Sequence, residues 1–182
     1  MTPNGRRSPT GSGGPGEGHV GRVGHVGQPF RYYLRVRYIE CDAQRVVFNS
    51  RYGEYVDVSI NELLRAIGIL KDFTDGELDF QLVKQTIEWK SPARFDQVLE
   101  LSIAATRLGT TSFTIGTEFR IAGDEKVIAT AETVYVLVDA RTLTKLPLPA
   151  AFRLALQDGA AGRTTDHAAC EPRPAADCDA RA

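Results

Sequence analysis

Apolar residues take a helical spacing in one stretch of this chain only, and that stretch limits what it can fold into. From Ser50 to Ile67, the residues Tyr52, Tyr55, Val56, Ser59, Leu63, Ala66 and Ile67 recur at intervals of three and four, the pattern of a single helix face. Elsewhere the period is two. Phe30 to Tyr38 sets Phe30, Tyr32, Leu34, Val36 and Tyr38 against Arg31, Arg35 and Arg37. Gln97 to Arg107 alternates Leu99, Leu101 and Ile103 with Glu100, Ser102 and Ala104, and Ser112 to Ile121 puts Phe113, Ile115, Phe119 and Ile121 on one side. Phe80 to Trp89 and the β-branched run Lys126 to Val138 also read as strands. Turn-like residues at 108–111 and 122–125 join the last three strands into a meander. One helix of about five turns cannot cover both faces of a parallel sheet. The expected class is therefore α+β, an antiparallel sheet with the helix against one face.

Composition sets the limits of this unit. With 182 residues, 42% hydrophobic and 25% charged, the chain suits one globular domain. The first 28 residues hold nine of the 17 glycines and almost no bulky apolar side chain, so they are expected to form a disordered tail. Residues 159–182 lose all periodicity and are expected to be a second one, leaving a domain at 29–158. His19 and His25 sit in a glycine context that pre-organises nothing, and His167, Cys170 and Cys178 lack the paired spacing of a zinc site, so neither metal nor cofactor is expected. A net charge of −1 lacks the basic excess usual in nucleic-acid binding modules. No run approaches the roughly 20 apolar residues of a membrane span, no secretory signal is visible, and the three cysteines suit a reducing compartment. The expectation is a cytoplasmic protein.

One connection carries chemistry. Between the first strand and the helix runs Glu40-Cys41-Asp42-Ala43-Gln44-Arg45-Val46-Val47-Phe48-Asn49. A helix start presents unpaired N–H groups and a positive dipole, a place for an oxyanion. A carboxylate nearby can attack a carbonyl or activate water. Together these suit acyl-group hydrolysis. The structural alternative is that Asp42 caps a turn and Asn49 or Ser50 caps the helix, with Gly68 ending it.

The run from Arg37 to Gly68 resembles the N-terminal signature of hotdog-fold acyl-CoA thioesterases of the 4-hydroxybenzoyl-CoA thioesterase type. The matching residues are Asp42, Val46-Val47-Phe48, Tyr52, and the E-x-L-R-x-x-G exit from Glu62 to Gly68. A second block, Ser91 to Phe113, resembles the group's P-A-R-[FY]-D strand entry and L-G-x-T-S-F turn, and Leu146 to Leu156 resembles its P-x-P ending. The resemblance implies a five-stranded antiparallel sheet wrapped around the long helix, in a homodimer or homotetramer with active sites at the subunit interface. It implies an acyl-CoA substrate, Asp42 as nucleophile or general base, and the Asn49 backbone N–H as the group that polarises the thioester carbonyl. Val47, Phe48, Tyr52, Arg94, Thr110 and Thr111 carry over as substrate-binding positions.

The sequence also departs from that pattern. Many relatives carry His where Asn49 stands, and the domain holds no His at all. That argues against a hotdog dehydratase, which needs one. The basic phosphate-gripping turn of the group reads Gly109-Thr110-Thr111 here, so Arg94, Arg107, Arg120 and Lys126 are the cations to examine for phosphates. Cys41 without a His partner reads as packing, Glu62 as structural, and Tyr55 and Trp89 as packing or as the wall of an acyl tunnel. The competing reading from another class is a non-catalytic protein that binds acyl-CoA or an acyl carrier protein.

Overall fold

The computed structural model of the protein describes residues 29–169, apart from Glu77 and Ala161. The tail expected over 1–28, with His19 and His25, lies outside the described residues, as do Cys170 and Cys178.

The strands are β1 (Phe30–Arg35), β2 (Leu78–Trp89), β3 (Val98–Leu108), β4 (Ser112–Ile121), β5 (Val127–Asp139) and β6 (Thr164–Asp166). They form one sheet in the order β2-β5-β4-β3-β1-β6. The first five in that order pair antiparallel, with β3, β4 and β5 as the expected meander. Register lines up Tyr32, Leu101, Phe119, Ala129 and Trp89 in one row across five strands. Because side chains alternate along a strand, such rows gather the apolar residues on one face. Against that face lies α1 (Arg51–Ala66), which buries Tyr52, Tyr55, Val56, Ser59, Ile60, Leu63 and Leu64. Each large apolar side chain withdrawn there from water contributes about 1.5–3 kcal/mol.

The structure revises several expectations. The sheet has six strands and is mixed, because β6 adds to the outer edge of β1 in parallel. Residues 159–182 are therefore not a tail throughout. The Arg31 N–H donates to the Arg163 carbonyl, the His167 N–H to the Tyr33 carbonyl, and Ala160 and Ala168 are buried. Small alanines fill this contact, so no amphipathic period betrays it. Two further helices occur, α2 (Lys71–Thr74) and α3 (Ala150–Asp158). The nine residues of α3 bury only Phe152 and Leu156, too few points to reveal a period. β1 stops at Arg35, and a 3-10 turn over Tyr38–Glu40 turns Tyr38 outward to 80% exposure. α1 begins without a side-chain cap from Ser50, and it ends where Gly68 takes a φ of 82°, a conformation that suits glycine.

Candidate active site

The connection before α1 is a tight hairpin. The Asp42 N–H donates to the Val46 carbonyl at 2.9 Å, the Arg45 N–H donates to the Asp42 carbonyl at 2.9 Å, and Cys41 bridges Val47. Arg45 closes the turn in the left-handed region, at a φ of 62°. This is the arrangement of a three-residue hairpin loop with a bulge. Asp42 shapes it, since its Oδ1 accepts the Gln44 N–H at 2.8 Å and the Val46 N–H at 3.4 Å. The turn-capping alternative for Asp42 is thus real, yet it occupies only one oxygen. Oδ2 has no partner among the described residues.

Past the hairpin, the chain enters α1 with open donors. The Phe48 N–H donates to the Glu40 carbonyl and the Arg51 N–H to the Phe48 carbonyl, while the Asn49 N–H meets no acceptor among the described residues. Asn49 does not cap the helix with its side chain; its carbonyl accepts the Tyr52 N–H at 3.3 Å. An open cleft of about 250 Å³ lies here, lined by Val46, Val47, Asn49, Tyr52, Trp89, Lys90, Ser91 and Pro92.

Of the residues marked from sequence, Asn49, Val47 and Tyr52 meet at this cleft. Asp42 is half-buried in the adjoining hairpin, and its backbone pairs with the cleft residue Val46. Arg94 also pairs with Val46 and is exposed. Phe48 is 53% exposed and points away from the core. Tyr52 packs edge-on against Phe119 and Trp89, and burial pushes its phenol up. Thr110 and Thr111 are not brought to the cleft. They turn from β3 into β4 at the opposite end of the sheet, where their carbonyls accept the N–H groups of Leu148 and Leu137. Seven strand residues at about 3.4 Å each separate Ser112 from Phe119, so the two places lie roughly 25 Å apart within one chain.

The remaining candidates divide. Arg120 is paired with Glu118 at 2.6 Å, and Glu62 with Arg65 at 3.3 Å. Cys41 is half-buried, its thiol 3.9 Å from the Arg37 carbonyl. Lys90 lines the cleft, Arg45 and Arg94 neighbour its residue Val46 along the chain and across a bridge, and all three are exposed and form no ion pair among the described residues.

Reading for motifs passed over Lys90 and Glu40. Lys90 carries no motif, though an unpaired cation at a strand end is a usable sign. Glu40 is only 2% exposed. Burial alone would push its carboxyl up, but hydrogen bonds from Arg37 and Tyr55 outweigh that and hold it below the usual carboxylate range. Burial and that same carboxylate push the Tyr55 phenol well above its ordinary value.

The comparisons with known proteins fall on this part of the chain. A family model described as the thioesterase-like superfamily matches residues 36–156. The acyl-CoA thioester hydrolase YbgC of Escherichia coli O6:H1 is 29% identical over 121 residues, covering 66% of this chain and 90% of the relative. A 1,4-dihydroxy-2-naphthoyl-CoA hydrolase of Nostoc punctiforme is 31% identical over 122 residues, covering 66% of this chain and 81% of the relative. Among solved structures, Slr0204 from Synechocystis superposes with a TM-score of 0.66 at 22% identity, covering 71% of this chain and 96% of its own, and shares the fold.

Proposed function

This chain belongs to the thioesterase-like superfamily and is a thioester hydrolase of the hotdog fold, and from that premise we propose that it cleaves acyl-CoA thioesters using Asp42 and the Asn49 N–H. The observation that carries the reading is the Asn49 N–H, without an acceptor among the described residues, on a cleft-lining residue at a helix start, beside a hairpin that fixes the Asp42 carboxylate through one oxygen only.

In this mechanism the thioester carbonyl oxygen rests against the Asn49 N–H. Its negative charge grows as the carbonyl carbon becomes tetrahedral, so the donor helps the transition state more than the ground state. Asp42 Oδ2 either attacks that carbon, giving a mixed anhydride that water then opens, or takes a proton from an attacking water. Both routes expel the CoA thiolate, add water and yield the free acid. Val47 and Tyr52 wall the acyl group, with Phe48 beside them. Arg94, with Arg45 and Lys90, supplies positive charge for the phosphates.

The active unit is proposed to be a homodimer, alone or doubled into a tetramer. β2 is an unpaired sheet edge carrying Leu82 at 52% and Val83 at 57% exposure, surface that calls for a partner. Two such edges pairing antiparallel would carry the Thr110–Thr111 turn of the second copy toward the cleft end of the first. That arrangement supports keeping both threonines in the substrate site.

Hydrolysis of short-chain, long-chain and aryl acyl-CoA, followed by thiol release, tests the reading. On the best substrate, Asp42→Ala and Asp42→Asn should lose about 100-fold or more in kcat. Full activity in either variant would remove Asp42 from the mechanism.

A further inference from the structure

Glu40 joins the hairpin of this site to the start of α1. Its carboxylate accepts the Arg37 N–H at 2.7 Å, the Arg37 Nε–H at 2.8 Å, a second guanidinium N–H, and the Tyr55 hydroxyl at 2.8 Å. Its own carbonyl accepts the Phe48 N–H at 2.9 Å. Glu40 thus holds the chain two residues before Asp42 and one residue before Asn49, and Tyr55 ties that hold to the second turn of α1. One residue thus ties the hairpin that carries the carboxylate to the helix, by its main chain at Phe48 and by its side chain at Tyr55.

A buried carboxylate is a poor choice for stability alone. Removing it from water costs several kcal/mol, and well-packed apolar side chains of similar size often hold a core as firmly. What a charged, multiply bonded group adds is a single permitted geometry. Reacting groups need such definition, because a misplacement of about 1 Å can cost on the order of 100-fold in rate.

We infer that Glu40 and Tyr55 are the positioning pair of this active site, setting the Asp42 hairpin against the Asn49 amide. The pair touches no substrate. It acts through Asp42, and so the inference rests on the reading proposed above.

The test compares wild type, Tyr55→Phe, Asp42→Asn and the double variant on the best acyl-CoA substrate, with thermal unfolding measured alongside. Tyr55→Phe keeps the ring in the core and removes only the bond to Glu40. It should lower kcat about 10- to 100-fold with KM changed less than about threefold, at a small cost in Tm. In the Asp42→Asn background the same change should add little, since the group being positioned is already gone. Glu40→Gln should behave like Tyr55→Phe where it folds.

An unchanged kcat in folded Tyr55→Phe would overturn the inference. So would an equal fold-loss in both backgrounds, which would mark a general structural effect. If Asp42→Asn itself keeps full activity, the mechanism proposed above fails, and that result is distinct from either of these.

Discussion

In the proposed mechanism Asp42 divides its carboxylate between two tasks. Oδ1 is spent on the Gln44 and Val46 N–H groups that close its hairpin, which leaves Oδ2 for chemistry. A carboxylate so held is pre-oriented. In that mechanism Asn49 works differently, because its backbone rather than its side chain takes part. Asn49→Ala should therefore stay within a few-fold of wild type, whereas Asn49→Pro, which deletes the N–H, should lose about 100- to 1,000-fold in kcat. Equal activity in the two would show that the oxyanion donor lies elsewhere. Glu40 gives the pH signature of stability. Its folded-state carboxyl titrates below its unfolded value, so the stability it adds is present above the ordinary glutamate pKa of about 4.3 and is lost as pH falls through the folded value. Thermal unfolding should show Tm declining over that acid window in wild type and declining less steeply in Glu40→Gln. Identical slopes would argue that other carboxylates govern acid unfolding.

Each element follows from a local pattern where the pattern is long enough to read. α1 was legible because sixteen residues sample its buried face at Tyr52, Tyr55, Val56, Ser59 and Leu63, and the meander because β3, β4 and β5 each run ten or more residues between turn residues. β6 and α3 were not, since three residues of strand and two buried anchors on a nine-residue helix fall below any periodic signal. β6 nevertheless covers one of the two sheet edges. The Tyr32 hydroxyl and His167 Nδ1 lie 3.0 Å apart, and Arg35 reaches the Ala168 carbonyl. Truncation after Asp158 should cost about 2 kcal/mol, seen as a Tm lower by roughly 5–10 °C, and should leave β1 open to pairing between molecules. A truncated chain with unchanged Tm and no tendency to aggregate would show that β6 contributes nothing to the fold.

At the scale of the whole molecule, the open edge of β2 is the counterpart of the closed edge at β1, and it is the edge on which the proposed dimer would form. Leu82→Lys combined with Val83→Lys places charge on that edge. In sedimentation the variant should run as a monomer of 19.9 kDa with much reduced hydrolysis, whereas an active monomer would place the whole site within one chain. Among the described residues no helix is long and apolar enough to cross a membrane. The amino-acid order alone determined the α+β class, the single long helix and the meander, because side-chain period is a local property. Tertiary structure decided which distant residues meet: Trp89, Lys90, Ser91 and Pro92 at the mouth of the cleft, Tyr55 on the Glu40 carboxylate, β6 beside β1, and Thr110 with Thr111 at the far end of the sheet. Those neighbours depend on strand order and register, which arise from the packing of the entire core and leave no trace in any short stretch of chain.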